Sequence, residues 1–179
     1  MGTQIRAVVI TASDACARGL RPDESGETLR QLLVETGAEI VASTILSDDL
    51  EPLMQSLRQF ANRADVNLIV TTGGTGLGPR DNTPEATLAV IEREVPGIAE
   101  AIRAESRRIT PMAMISRGIS GICSDTLIIN LPGSPKAVRE SFSVIIPVLN
   151  HAMDLLAGKT RHANPTHGNA YVRLKETLR

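Results

Sequence analysis

Thr71-Thr72-Gly73-Gly74-Thr75-Gly76 follows directly on the apolar run Val66 to Val70. Glycines let backbone N–H groups close on an anion, and the hydroxyls of Thr72 and Thr75 add two further donors. Phosphate binding is the chemistry such a loop supports, but Gly-Gly-Thr-Gly alone fits a bare strand-to-loop turn equally well. The pattern is longer than that, because the chain continues into Pro79-Arg80-Asp81-Asn82-Thr83-Pro84-Glu85-Ala86-Thr87. An arginine, an aspartate and a helix start thus lie close to the glycines. Asp48 ends a second apolar run. Asp48 and Asp81 beside a phosphate loop are a pair suited to Mg²⁺, which is commonly held by one or two carboxylates together with substrate phosphates. Helix capping is the competing explanation for each aspartate.

Three further clusters carry polar, small or charged residues. Ser13-Asp14 ends the first apolar run and leads into a loop with Arg18, Gly19, Ser25 and Gly26. Asp14 there either accepts an adenine or ribose hydrogen bond or terminates the strand. Pro132-Gly133-Ser134-Pro135-Lys136 precedes a helix, where Ser134 and the helix start offer donors to an anion. Ser116-Arg117-Gly118 follows Met112 and Met114; the arginine suits a second phosphate and the methionines suit an adaptable wall or core packing.

The elements that must position these clusters alternate. Arg6 to Thr11, Ile40 to Leu46 and Val66 to Thr71 read as strands, with helices at Glu27 to Glu35, closed by Gly37, and from Asp48 or Asp49 onward. Leu50, Leu53, Met54, Leu57 and Phe60 form the apolar stripe of the second helix. Strand, helix, strand in repetition predicts a three-layer α/β fold, a mainly parallel sheet with helices on both faces. Helices are further expected over Pro84 to Glu94, Ile98 to Arg107 and Pro135 to Leu156, the last ended by Gly158. Gly118 to Cys123 and Leu127 to Leu131 are expected either as a hairpin around Ser124-Asp125 or as separate strands. Residues 1–159 form the expected domain and 160–179 a polar tail.

The bulk composition excludes several classes. With no Trp, one Tyr and two Phe among 179 residues, the core is expected to be aliphatic. A net charge of −1 with interspersed signs gives no footprint for nucleic acid. Cys16 and Cys123 stand apart, outside any metal or redox motif, and no apolar run reaches the ~18 residues of a membrane span. The expected location is cytoplasmic.

Taken in order, Ser13-Asp14, Gly26, Asp48, Thr71 to Gly76, Arg80-Asp81 with Thr83 to Thr87, Pro96-Gly97, Ile109-Thr110-Pro111 with Ser116-Arg117, and Asn130 to Gly133 resemble the molybdopterin adenylyltransferase family. That family includes stand-alone bacterial enzymes, the plant cofactor-synthesis G domain and the gephyrin N-terminal domain. The resemblance covers about residues 6–157 and implies the molybdenum-cofactor biosynthesis protein fold. It implies that ATP and molybdopterin give adenylyl-molybdopterin and pyrophosphate, with Asp48 and Asp81 positioning Mg²⁺–ATP and Ser116 at the pterin site. Ser13, Asp14, Gly26, Thr72, Gly73, Gly74, Thr75, Gly76, Arg80, Arg117, Pro132, Gly133 and Ser134 are expected to line the remaining ligand surface. A homotrimer and a downstream molybdenum insertase as partner are also implied. A non-catalytic pterin-binding relative or scaffold is the alternative. Lys136 lies where relatives vary, and the tail after Arg161 has no family counterpart.

Overall fold

A computed structural model describes residues 2–159, so the polar tail expected at 160–179 lies outside the described residues. Six strands form one sheet: β1 (Arg6–Ala12), β2 (Glu39–Leu46), β3 (Leu68–Thr72), β4 (Arg93–Glu94), β5 (Ser120–Cys123) and β6 (Thr126–Leu131), in spatial order β2-β1-β3-β6-β5-β4. β2, β1, β3 and β6 run parallel, and β5 turns back antiparallel to β6 around Ser124-Asp125. The hairpin option is therefore the one the chain adopts.

Alternation along the strands builds two cores. On one face Ala7, Val9, Leu68, Val70 and Ile129 pack under α2 (Glu24–Glu35), α5 (Pro96–Ile109) and α6 (Pro135–Leu156). On the other, Val8, Ile10, Ile69 and Ile128 meet Leu53 and Leu57 of α3 (Leu50–Ala61) and Ala86 of α4 (Thr83–Leu88). Strands covered on both faces need the unbroken apolar runs seen in the sequence. The core is aliphatic except for Phe142, which is the largest fully buried side chain.

The chain leaves β1 through the single turn α1 (Asp14–Ala17) and then α2 on one face, and leaves β2 through α3 on the other. β1 therefore has β2 on one side and β3 on the other, and the loops after β1 and β3 part company. A crevice at the carboxyl ends of the strands is the geometric result, and such crevices are where open α/β sheets bind ligands.

Several boundaries depart from expectation. The helix expected at Glu27 begins at Glu24, because Asp23 caps it by accepting the Gly26 N–H at 2.9 Å, so Ser25 and Gly26 belong to its first turn. The helix expected over Pro84 to Glu94 ends at Leu88. Beyond it, the Glu92 N–H donates to Ile122 O at 2.8 Å and the Val95 N–H to Ser120 O at 2.9 Å, so sheet pairing takes over from the helix. Pro96 is the first residue of α5 rather than a break before it. Leu50 is exposed instead of joining the stripe of α3. Met112 and Met114 do not pack in the core either, since the 3₁₀ turn Pro111–Ile115 leaves both exposed.

Candidate functional site

All four parallel strands deliver a loop to one rim. β1 ends in Ser13-Asp14, β2 leads to Asp48-Asp49, β3 to the glycine loop, and β6 to Pro132-Gly133-Ser134. Ser116 and Arg117 precede β5, which runs the other way, and so reach the same rim.

The glycine loop sits against its neighbours without room for side chains. Gly73 and Gly74 take φ values of +96° and +61°. A Cβ on Gly73 would lie 2.2 Å from the Ala12 carbonyl oxygen, and one on Gly74 would lie 2.4 Å from Thr83 Oγ1 and 3.2 Å from Asp48 Oδ1. Thr83 locks the loop from below by donating to Gly73 O at 2.9 Å. Among the described residues the N–H groups of Gly74, Thr75 and Gly76 have no protein acceptor, whereas Gly73 donates to Leu131 O at 3.1 Å. Three consecutive free donors in a tight turn are the arrangement that cups an anion.

The two aspartates converge on this loop. Asp48 Oδ2 accepts the Asp14 N–H at 2.8 Å, and Asp14 Oδ1 accepts the Asp48 N–H at 3.2 Å, so the loops after β1 and β2 hold each other. Asp81 Oδ2 accepts the Gly78 N–H at 2.7 Å. Asp81 also lies against Gly76 and Gly78, where added Cβ atoms would come within 2.9 Å and 2.8 Å of Oδ2. Each carboxylate thus has one oxygen fixed by a backbone N–H. Burial pushes the Asp48 carboxyl above the usual carboxylate range, and the charges of Asp14 and Asp81 add to it.

Arg80 and Arg117, both expected at the ligand surface, are bonded to groups of the rim itself. Arg80 Nε and Nη2 grip the two Asp14 oxygens, each at 2.8 Å, and Nη1 donates to Asp49 Oδ1 at 2.9 Å. This fork keeps the Asp14 and Asp49 carboxyls below their ordinary values. Arg117 donates through Nε to Gly76 O at 2.6 Å, through Nη2 to Asp81 O, and through Nη1 to the Glu85 carboxylate. Thr72 is also withdrawn, fully buried with its hydroxyl donating to Pro132 O at 2.8 Å.

Gly26, expected at the ligand surface, stands in close packing. Its Cβ would fall 2.1 Å from Asp23 Oδ2 and 2.4 Å from Thr11 Oγ1, so the glycine lets α2 press onto β1. Ser13 and Ser134 both cap helices, with side chains accepting from Cys16 N and Ala137 N at 3.3 Å and 3.2 Å. Pro132 and Gly133 bring the start of α6 against the glycine loop, with the Cβ position of Gly133 3.1 Å from Gly73 Cα. Ser116 lies beside Gly118, whose N–H faces its Oγ at 3.5 Å. Lys136 is exposed and its Nζ is 3.9 Å from Glu140.

Residues to which the sequence reading assigned no role complete the rim. Asn82 Nδ2 donates to Asp48 O at 2.8 Å, and Asn130 Nδ2 bridges the hydroxyls of Thr71 and Thr87 at 3.0 and 2.9 Å beneath the loop. A 230 Å³ cleft beside Gly133 and Ser134 is walled by Cys16, Arg21, Glu24 and Ser25. Nothing in the spacing of Cys16, Arg21 or Glu24 marks them. A larger hollow of 440 Å³ opens at the opposite rim, but its Arg6 and Arg63 are tied to Ala64 O, Asp65 O and the Asp65 carboxylate. It shares nothing with the strand ends that gather the aspartates.

Known proteins share this sequence pattern and fold. Residues 8–151 match the family model described as a probable molybdopterin binding domain. The chain is 35% identical over 165 residues to a molybdopterin adenylyltransferase of Helicobacter pylori, covering 91% of this chain and 94% of that one. It is 44% identical over 160 residues to the molybdenum cofactor synthesis protein cinnamon of Drosophila melanogaster, covering 89% of this chain and 27% of cinnamon. It thus spans about a quarter of the length of cinnamon and nearly all of the Helicobacter pylori protein. Among solved structures, the molybdopterin biosynthesis enzyme MoaB of Thermus thermophilus superposes with a TM-score of 0.82 at 46% identity, over 87% of this chain and 98% of that one. The Mog protein of Mycobacterium ulcerans gives 0.81 at 39% identity, over 87% and 99%. With the family model, a relative covered nearly end to end and the superposed folds in agreement, the chain belongs to the molybdopterin-binding family of molybdenum-cofactor biosynthesis proteins.

Proposed function

We propose that the chain is a molybdopterin adenylyltransferase that converts ATP and molybdopterin into adenylyl-molybdopterin and pyrophosphate. The observation that carries this reading is the convergence of Asp48 and Asp81 on a loop whose Gly74, Thr75 and Gly76 N–H groups are free to receive a phosphate. The terminal phosphate of molybdopterin attacks the α-phosphate of ATP, the new P–O bond forms as the bond to pyrophosphate breaks, and no covalent enzyme intermediate is needed. The nucleophile is already an anion, so the protein's work is positioning and preorganised donors. The free N–H groups of the glycine loop hold phosphate oxygens, and Ser116 faces the pterin.

Among the described residues no group of three or more His, Cys, Asp or Glu side chains could hold a metal alone. Asp48 and Asp81, each with one carboxylate oxygen taken by a backbone N–H, suit Mg²⁺, which accepts hard oxygen donors and keeps waters and phosphates in its remaining positions. Bound there, Mg²⁺ would neutralise phosphate charge. Family membership further supports a homotrimer and delivery of the product to a molybdenum insertase. Exposed Ile109, Met112, Met114 and Ile115 supply apolar surface for contact between copies. We place the protein in the cytoplasm, in keeping with two free cysteines, both buried. Among the described residues no helix is long and apolar enough to cross a membrane.

The test is pyrophosphate release from ATP and Mg²⁺, with and without molybdopterin, in wild type, Asp48→Asn and Asp81→Asn. Release that requires the pterin and falls by about 10²-fold or more in either variant is expected, in line with the loss of one electrostatic group at a reacting centre. ATP binding by folded protein with no pterin-dependent release would favour the second reading, a non-catalytic pterin-binding relative, which the likeness to MoaB accommodates equally.

A further inference from the structure

Arg117 is a cation at the rim whose contacts are with its own chain. Its backbone N–H donates to Thr75 O at 2.8 Å, and its guanidinium reaches Gly76 O, Asp81 O and the Glu85 carboxylate of α4. One side chain therefore ties the two ends of the 76–81 turn to each other and to the helix that follows. Arg80 anchors the turn from outside through Asp14 and Asp49, and within the exposed stretch Leu77 to Arg80 the internal bonds are Gly78 N–H to Asp81 Oδ2 at 2.7 Å and Asp81 N–H to Gly78 O at 3.0 Å. Those same bonds set where the Asp81 carboxylate lies. The shape of the turn and the place of the carboxylate are one variable.

We propose that Arg117 is a positioning residue for adenylyl transfer, holding the 76–81 turn so that Asp81 stays at the glycine loop; this rests on the adenylyltransferase reading above. A planar guanidinium presents donors in a fixed fork that meets two carbonyls and a carboxylate together, which an ammonium cannot do. Three of its five N–H donors are committed, two to the carbonyls at the ends of the turn and one to Glu85. Its role is thus exerted through Asp81.

Arg117→Gln and Arg117→Lys separate this role from that of an anion ligand. If Arg117 positions Asp81, both variants lower kcat by about 10–100-fold, the loss expected from misplacing a group by roughly 1 Å, while the KM for ATP stays within about threefold. In an Asp81→Asn background, Arg117→Gln then adds no more than about twofold, because the group it positions is gone. Amide hydrogen exchange at Gly78 and Asp81, read in the same proteins, is expected to speed by about tenfold or more as the turn opens locally.

An anion ligand would behave otherwise, since lysine also binds phosphate as a point charge. Wild-type turnover in folded Arg117→Lys, or a loss from Arg117→Gln that is undiminished in the Asp81→Asn background, overturns the proposal. Should Arg117→Gln fail to fold, Arg117→Lys, which retains a charge opposite Glu85, carries the test. Absence of pterin-dependent release from the wild type would strike the adenylyltransferase reading. Unchanged exchange at Gly78 and Asp81 in a folded Arg117 variant would strike this one.

Discussion

Gly73→Ala and Gly37→Ala make a matched pair. Both glycines have positive φ, +96° and +82°, so alanine at either position incurs backbone strain of about 1–2 kcal/mol. They differ in surroundings. A Cβ on Gly37 meets nothing within 4 Å, whereas one on Gly73 would stand 2.2 Å from the Ala12 carbonyl oxygen. Backbone cannot yield as a side-chain tip can, so the loop must retreat from β1. Retreat stretches the Gly73 N–H to Leu131 O bond of 3.1 Å and the Thr83 Oγ1 to Gly73 O bond of 2.9 Å. Leaving such groups unsatisfied adds roughly 1–3 kcal/mol, for a total of about 2–5 kcal/mol.

For a domain of this size 1 kcal/mol lowers Tm by about 2–4 °C, so Gly37→Ala should fall by roughly 2–8 °C and Gly73→Ala by about 4–20 °C. Urea titration gives the two free energies directly, and their difference isolates the contact with Ala12. The same retreat moves the free N–H groups of the loop, so Gly73→Ala is also expected to weaken ATP binding while Gly37→Ala leaves it unchanged. Equal destabilisation by the two substitutions would refute the close packing of the glycine loop on β1 and the reading built on it.

Other perturbations test the rim separately. The folded state raises the Asp48 pKa, so it favours the protonated form; stability contributed there is present at acid pH and declines as pH climbs from the ordinary carboxylate value through the raised one. Asp48→Asn should therefore be inactive yet more stable than wild type at neutral pH, with the gain fading below about pH 4 in pH-dependent thermal melts. Asp14 and Asp49 are shifted the other way by Arg80, giving stability that is present above the ordinary value and lost as pH falls through the lowered ones. Arg80→Met should weaken that acid dependence, and unchanged acid melts would count against the ion-pair bridge. Asn130→Ala removes a buried donor to Thr71 and Thr87 and should cost about 1–3 kcal/mol in urea unfolding.

Much of this was legible from the chain because fold and rim rest on periodicity and order. Unbroken apolar strands between amphipathic helices specify a covered parallel sheet, and a parallel sheet sends every strand end to one rim, so Asp14, Asp48 and the glycine loop could be brought together before any coordinates. The helix over Pro84 to Glu94 was misread because Val90 and Ile91 suit a helix as well as an edge. Pairing of Glu92 and Val95 with β5, a partner distant in sequence, decides the matter. The partners of the arginines were illegible for a related reason. A sequence shows that Arg80 and Arg117 stand near a phosphate loop, but not that Asp14, Asp49, Glu85 and two carbonyls bond them. The tight packing at Gly26 likewise depends on Asp23 and Thr11, whose approach the sequence does not show.

The ion pairing of both arginines has an electrostatic consequence for the proposed substrate. Asp14, Asp48, Asp49 and Asp81 gather at one rim, while Arg80 is bound to two of them and Arg117 to Glu85. Asp48 and Asp81 are left without a salt-bridge partner among the described residues, beside the loop meant to receive a polyphosphate. Like charges roughly 6 Å apart repel by about 2–3 kcal/mol at an effective dielectric near 20, so metal-free ATP should bind about 10-fold or more weakly than ATP with a divalent cation. Titration calorimetry with and without EDTA measures the difference, and Asp48→Asn/Asp81→Asn should shrink it. Equal affinity for ATP in both conditions would mean that the two aspartates do not face the phosphates, and the assignment of the glycine loop as their cradle would fall with it.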